Sequence, residues 1–303
     1  MAIITQNTWA KAVWPGVNTW YGQAYNEHKV EYTDLFTTNK SDRAYVEDVG
    51  TSGFGMAAVI DEGSAIGFDT QSQGFTTRYT HVRYGLGFIV TKIAFDDDQY
   101  QVVGAKRAKA LAFSMRQTKE TVGANVYNRA FNSSYLGGDG IQLISTAHVN
   151  VAGGTWSNRL ATDAVLSEAA LEQMTINIGN ATNDRGLRIA VQPQTLHIPL
   201  NLQFEAQRIL GSQFRVGTAE NDINALVAMN KIPMGIRVNH YFTSTTAWFV
   251  RTNVMEGMKY FTREDDKFAM DNDWDTDNAK FKATSRYSFG WTDPRALYGT
   301  SGS

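Results

Sequence analysis

Four aspartates at alternate positions, Asp271, Asp273, Asp275 and Asp277 in the run DNDWDTDN, form the sharpest polar feature of this sequence. In extended backbone, alternation puts all four carboxylates on one side. Such a comb has the oxygen chemistry to hold a hard cation. It departs from the calcium-loop pattern, because Thr276 stands in place of the turn glycine and Lys282 in place of the closing glutamate. The preferred reading is a solvated acidic loop, or a partner for basic residues of another subunit, with no metal. The five histidines are His28, His81, His148, His197 and His240. None pairs with another at metal-ligand spacing, and no HExxH occurs. No G-x-S-x-G elbow or G-x-x-x-x-G-K-[ST] loop is present. GGDG at 137–140 has no following lysine and reads as a turn. No stretch shows the convergence of groups an enzyme needs. The expectation is no catalytic residue, no metal and no cofactor, with an aspartate-comb metalloenzyme as the outlying hypothesis.

The elements that would position these residues start from one stretch, Gln99 to Phe131, which lacks proline and reads as a single helix. Its apolar positions Ala108, Leu111, Met115, Val122, Val126 and Ala130, with Thr118 bridging a gap, drift in steps of three and four. Asp96, Asp97 and Asp98 precede it, where carboxylates favour the positive end of the helix dipole. At about 1.5 Å per residue it would run roughly 50 Å, a strut across a plate.

Before it, residues 1–48 lack a strong period and carry Trp9, Trp14 and Trp20, as an arm does. Residues 49–74 are glycine-rich. Phe75 to Thr91 is rich in strand formers and would span roughly 55 Å if extended throughout. Phe75 to Tyr84 has no evident core side, and a long two-sided strand is an aggregation hazard unless a partner covers it. Leu86, Phe88 and Val90 alternate and return to the core. After the helix, Ser167 is a plausible N-cap for a helix bearing Leu171, Met174 and Ile178. Strands are expected at Leu187–Val191, Thr195–Ile198, Ile236–Tyr241, Ala247–Thr252, Met258–Arg263 and Lys280–Phe289, the last two separated by an acidic segment. Helices are expected at 200–211 and 218–228. The pattern is α+β.

The 303 residues carry a formal charge of −2 and are 43% hydrophobic, enough for one large core or two modest ones. That charge balance argues against a dedicated nucleic-acid or membrane-surface binder. With no cysteine, disulfides and thiolate metal sites are excluded. The N-terminus lacks a secretory pattern, and no apolar run is long enough to span a bilayer, so a soluble intracellular product is expected. The 7 Trp, 13 Tyr and 16 Phe suggest large contact surfaces as well as a core.

Seven ordered motifs resemble one family: QGFTTRYTHVRYGLGF (73–88), AKRAKALAFSMRQTKE (105–120), GGDG (137–140), STAH (145–148), SNRLAT (157–162), GTAENDINAL (217–226) and ATSRYSFGWTDPRALYG (283–299). Together they are similar to major capsid proteins of tailed bacteriophages, closest to the Mu-like major head subunit group, with the HK97-type capsid fold. The resemblance implies an N-terminal arm (1–48) and an extended E-loop hairpin with its return strand (49–91). It implies a peripheral domain (92–136 and 253–286, spine helix about 99–131) and an axial domain (137–252 and 287–303). The implied function is a structural subunit that self-assembles, as hexamers and pentamers, into an icosahedral head enclosing double-stranded DNA. An encapsulin-like compartment shell is the alternative. Portal, scaffolding and decoration proteins are implied partners, with location in the virion capsid and assembly in the host bacterial cytoplasm. No membrane is implied. No lysine stands between Lys40 and Lys92, so an E-loop isopeptide bond of the HK97 kind has no donor. The chain starts directly in the arm with no charged helical prodomain, so any assembly help is expected from a separate scaffold, unless the arm itself serves. Expected inter-subunit contacts are Phe75, Arg78, Tyr79 and Arg83, with the acidic segment around Asp271 and Asp273 pairing with basic residues of a neighbour, Arg116 among them. Weak, nonspecific DNA contact would fall to Lys106, Lys109, Arg116 and Lys119 on the helix.

Overall fold

The computed structural model describes residues 18–91, 93, 104–214, 222–272 and 278–302. It contains two four-stranded sheets, a projecting hairpin and a long helix that crosses one of the sheets. The chain starts with α1 (residues 18–27), α2 (Tyr32–Leu35) and β1 (Thr37–Lys40). β2 (Tyr45–Thr51) and β3 (Gln73–Thr80) then form the antiparallel hairpin, with Glu47 opposite Arg78. β4 (Val82–Val90) leads to α3 (Ala105–Asn128).

The first sheet has the order β1-β10-β11-β4, where β10 is Met258–Asn272 and β11 is Ala279–Trp291. β1 joins β10 in parallel, and the other pairs are antiparallel. α3 packs on this sheet. Its buried residues step as Ala108, Leu111, Ala112, Met115, Arg116, Lys119, Glu120, Gly123, Ala124 and Tyr127, a helical stripe. Gly123 lets the helix approach closely, because a Cβ there would sit 3.2 Å from the Phe289 ring and 3.3 Å from Tyr32 Cβ. The helix spans 24 residues, or ~36 Å. It ends at Asn128, and Ala130 and Phe131 continue into a turn. The expected start, Gln99 to Val103, and the aspartates before it lie outside the described residues. The second half of the stripe also differs from the expected one. Val122 and Val126 are only half-buried, and the charged Lys119 and Glu120 occupy the core side.

The second sheet has the order β12-β9-β7-β8, comprising Leu297–Thr300, Trp248–Thr252, Pro193–Pro199 and Ile236–Asn239. α4 (Glu168–Gly179), α5 (Gln203–Gly211) and the single turn α6 (Ala225–Ala228) pack against it around Leu171, Met174, Ile178, Leu196, Ile198 and Trp248. Ser167 caps α4 through Ala170 N–H, as its position in the sequence suggests. A short ribbon, β5 (His148–Val149) with β6 (Thr155–Trp156), lies in the segment between α3 and α4. A core of Leu35, Tyr127, Ile144, Phe249, Tyr260, Tyr287 and Leu297 joins the two sheets. No described helix is long and apolar enough to cross a membrane.

Several boundaries differ from the expectation. Phe75 to Thr91 is two strands in different sheets, broken at His81, whose buried ring bonds Ser288 Oγ at 2.9 Å and Ser41 Oγ at 3.2 Å. Leu187–Val191 makes only an isolated bridge through Arg188, and Ala190 with φ 48° cannot continue a strand. β10 runs on through the acidic residues Glu264 to Asp266, because β11 pairs with it along its length. Residue 48 falls inside β2, and β1 is a sheet strand, so the described part of the expected arm is integrated into the body. Trp20 packs onto the cluster of Val90, Ala108 and Phe281, while Trp9 and Trp14 lie outside the described residues. β11 continues to Trp291, past the expected boundary at 287.

Candidate assembly surface and the polar clusters behind it

The motif residues that look chemical form buried structural joints. GGDG and STAH meet where His148 Nδ1 lies 2.7 Å from Asp139 Oδ2. The other ring nitrogen faces Asn158 Oδ1 at 3.2 Å, and no hydroxyl nucleophile takes that place. His148 is fully buried and stacks on Trp156. Asn158, from SNRLAT, donates to the carbonyls of Leu143, Pro294 and Leu297 and accepts from Ser145 N–H. These motifs therefore tie the 137–158 loops to the C-terminal strand. His197 bonds the Tyr127 hydroxyl at 3.1 Å, and burial drives it down to about 3, so it is neutral. His240 bridges to Glu31 at 2.6 Å, and His28 packs on the Phe113 ring. Among the described residues, no group of three acidic or histidine side chains could hold a metal ion. Asp271 is exposed on β10 opposite Lys280. Asp273, Asp275 and Asp277 lie outside the described residues.

The hairpin is the surface without a core. Its base is fastened. Asp48 accepts from Lys259 Nζ at 2.5 Å and from Thr292 Oγ1 at 2.9 Å, and Lys259 also binds Glu256. Tyr79 packs on Phe261 and shares a 2.6 Å hydrogen bond with Thr292 Oγ1. The GGDG loop presses against β3, since a Cβ at Gly138 would lie 2.6 Å from Thr77 Oγ1. Beyond the base, Arg185 donates to Thr70 O at 2.6 Å. Asp69 caps Gly55 N–H at 2.8 Å, and that bond holds its carboxyl below the usual range. Between these anchors the tip exposes large apolar groups: Met56 at 86%, Val59 at 95% and Phe68 at 98%, with Phe54, Ile60 and Ile66 also exposed. A contiguous array of this kind marks an interaction surface. The resemblance places an extended hairpin here, and the residues themselves suggest turns and flexible backbone from their glycines. The signal available was unpatterned large apolar residues within a glycine-rich run.

The expected contact residues separate on this geometry. Phe75 is exposed, as is Arg83 opposite Arg286. Arg78 lies 3.8 Å from Glu47 and stacks over the Tyr45 ring. Tyr79 is a correction: its ring is consumed within its own subunit, at 3% exposure. Lys106 and Lys109 are exposed on α3. Arg116 and Lys119 are corrections of the same kind, 5% and 4% exposed, and therefore unavailable to DNA or to a neighbour's acidic segment.

Lys119 anchors a buried knot instead. Its Nζ lies 2.7 Å from Asp266 Oδ2 and 3.2 Å from the Tyr25 hydroxyl, within 5.9 Å of the Tyr25, Tyr32 and Tyr287 ring centres. The Tyr25 hydroxyl also donates to Asp266. Burial, with the Asp266 carboxylate beside it, pushes that phenol far above its ordinary value, so it keeps its proton. Register shifts at Thr262/Glu264 and Glu264/Lys267 insert extra residues into β10, and such bulges re-aim side chains. Glu120, one residue on, accepts the N–H groups of Glu31 at 3.1 Å and Tyr32 at 2.8 Å, and burial raises its pKa. α1, α2, α3 and β10 thus meet at two adjacent charged residues of one helix.

Three comparisons with known proteins bear on this arrangement. A family model described as phage capsid protein matches residues 74–299. No curated protein matches. Among solved structures, the procapsid of bacteriophage JBD30 is 13% identical with TM-score 0.54, covering 98% of this chain and 76% of that one. The capsid of a native GTA particle is 12% identical with TM-score 0.56, covering 89% and 88%. A virus-like particle from Pyrococcus furiosus is 10% identical with TM-score 0.51, covering 94% and 97%. At such identities the likeness is one of fold.

Proposed function

We infer the function from a fixed premise: this chain belongs to the phage capsid protein family, whose model spans residues 74–299. It is a structural major capsid protein, not an enzyme, and it works by assembling with copies of itself into a shell. The observation that carries this reading beyond family membership is the hairpin. Its base is locked to the body by Asp48, Lys259, Thr292 and Tyr79, while its tip exposes an apolar surface that a lone subunit leaves in water. A partner that repeats the same fold removes that cost.

We carry several finer readings with it. The shell is icosahedral, built of hexamers and pentamers, and encloses double-stranded DNA in a phage head assembled in the host bacterial cytoplasm. The ordered motifs support a place in the Mu-like group, with portal, scaffolding and decoration proteins as partners. The hairpin serves as the E-loop, the first sheet with α3 as the peripheral domain, and the second sheet with α4 and α5 as the axial domain. Phe75, Arg78 and Arg83 are the remaining contact candidates on β3 and β4, with Asp271 and Asp273 on the acidic side. Contact with the genome is weak, through Lys106 and Lys109, because strong nonspecific binding needs many cations against phosphates. An encapsulin-like compartment is not favoured, since the matching family model is that of phage capsids.

Electron microscopy of the purified protein tests this reading. Closed shells are expected from the full chain, and only unassembled subunit after deletion of residues 56–82. Normal shells from the deletion would remove the hairpin from the account. A full chain that never forms shells would remove the function.

A further inference from the structure

A cleft of ≈ 500 Å³ lies between α1, α3 and strands β1 and β10. Asn18, Tyr21, Gly22, Tyr25 and Asn26 line it from α1, in the three- and four-residue steps of one helix face. Across from them stand Arg116 and Lys119 of α3, Lys40 at the end of β1, and Asp265 and Asp266 in the bulged part of β10. Three of these side chains hold polar atoms that are buried and have no hydrogen-bond partner: the Tyr21 hydroxyl, Arg116 Nε and Asp266 Oδ1. Tyr21 and Arg116 are each only 5% exposed. A polar group buried without a partner destabilises the fold, and a charged one does so more strongly. Three of them around one cleft point to a ligand that satisfies them together.

The three atoms define the chemistry of that ligand. The guanidinium Nε–H only donates, a phenol donates readily, and a carboxylate oxygen only accepts. The ligand must therefore accept twice and donate once. Its charge follows from Arg116. That guanidinium donates from Nη2 to the His28 carbonyl at 3.4 Å, stacks over the Tyr25 ring at 4.6 Å, and forms no ion pair among the described residues. Glu120, four residues on, gives its oxygens to the N–H groups of Glu31 and Tyr32. Asp266 is already paired with Lys119 through its other oxygen. The described lining carries three cations, Lys40, Arg116 and Lys119, against two carboxylates, so a small anion balances it. Sulfate and a phosphodiester offer acceptors alone, whereas a phosphate that keeps a proton offers both kinds of group. We propose that this cleft binds a hydrogen-phosphate group, as the free ion or as a monoester. Tyr21 and Arg116 donate to its oxygens, and its P–OH donates to Asp266 Oδ1. The site is separate from the hairpin, and the proposal stands whether or not the chain forms shells.

Calorimetric titration of the unassembled full chain tests this at about pH 5.5, below the second ionisation of a phosphate ester at about 6. Inorganic phosphate should bind one per chain, sulfate roughly tenfold or more weakly, and a short DNA duplex should not displace the phosphate. Adenosine 5′-monophosphate separates the two sources: tighter binding than phosphate assigns a monoester, weaker binding the free ion. Tyr21→Phe should weaken phosphate roughly tenfold, yet melt no lower than the unsubstituted protein in phosphate-free buffer, because it removes a buried hydroxyl that has no partner there. Asp266→Asn turns the acceptor into a group that can donate, so sulfate should then bind about as well as phosphate. Should Asp266→Asn fail to fold, Tyr21→Phe and the sulfate comparison decide alone. No binding of phosphate, equal binding of phosphate and sulfate by the unsubstituted chain, or an affinity unchanged in Tyr21→Phe would overturn the site.

Discussion

Replacing Lys119 by methionine isolates the contribution of the knot beneath the long helix. The substitution keeps the length and apolar stem of the side chain and deletes its ammonium. Asp266 would then keep the Tyr25 hydroxyl but lose the ammonium it pairs with, at side-chain exposures of 5% for Lys119 and 12% for Asp266. An exposed ion pair is worth about 0–1 kcal/mol. Removing one partner of a buried pair costs about 3–5 kcal/mol, because the remaining charge stays desolvated. The burial of both side chains places this pair in the second class. At a chain of this size each kcal/mol shifts the midpoint by about 2–4 °C, so Lys119→Met should melt roughly 6–20 °C lower. Adding Asp266→Asn should recover part of that loss, since the orphaned charge disappears. Lys109→Met, on the exposed face of the same helix, is the control and should stay within about 0.5 kcal/mol. Thermal and urea unfolding of the unassembled subunit measures all four proteins. A loss below about 1 kcal/mol for Lys119→Met, equal to that of Lys109→Met, would refute the reasoning, because it would mean the pair is solvated.

Asp163 is held below the usual carboxylate range first by its bond from Arg159, and then by Ser301 and Thr300. A depressed carboxylate stabilises the fold above its unfolded value and loses that contribution as pH falls through the folded one. Asp163→Asn should therefore cost about 1 kcal/mol near neutrality, discounted for partial exposure, with the gap to the unsubstituted protein closing in strong acid; a pH series of urea midpoints checks both. Gly138→Val should lose about 1–3 kcal/mol, because its Cβ falls 2.6 Å from Thr77 Oγ1 and 3.0 Å from Thr76 O. Hydrogen exchange should localise the loosening to β2 and β3, and unchanged protection there would count against the GGDG loop as a hairpin seat.

The α+β class, the long helix, the strands after residue 192 and the N-cap at Ser167 were all legible, because period and capping are local. Lys119 and Glu120 were not, since charged residues interrupt an apolar stripe and their partners are far along the chain, at Asp266 and Glu31. The same distance hid the pairing of Lys259 with Asp48. The break at His81 was invisible because strand propensity is continuous across it. The change of sheet shows only in the pairing of β3 with β2 and of β4 with β11, and the buried His81 ring at the break bonds Ser41 and Ser288. The motifs GGDG, STAH and SNRLAT were recognisable as strings, yet the joint that unites them, Asp139 to His148 to Asn158, exists only in three dimensions. The apolar tip is hidden in the sequence because its large side chains, from Phe54 to Phe68, follow neither a helical nor a strand period and stand among glycines.

The two register shifts in β10 carry one further consequence. From Thr262 to Lys267 that strand takes five steps while β11, from Tyr287 to Thr284, takes three. At about 3.3 Å per step, the surplus is roughly 7 Å of contour on one edge of a ribbon whose two edges remain laced together. A ribbon with unequal edges bows, as a strip of two metals does when one expands. The subunit therefore brings its own arc to any assembly, written into strand arithmetic before a neighbour arrives. Lys119 pins that arc through Asp266, from a helix of fixed length lying across it.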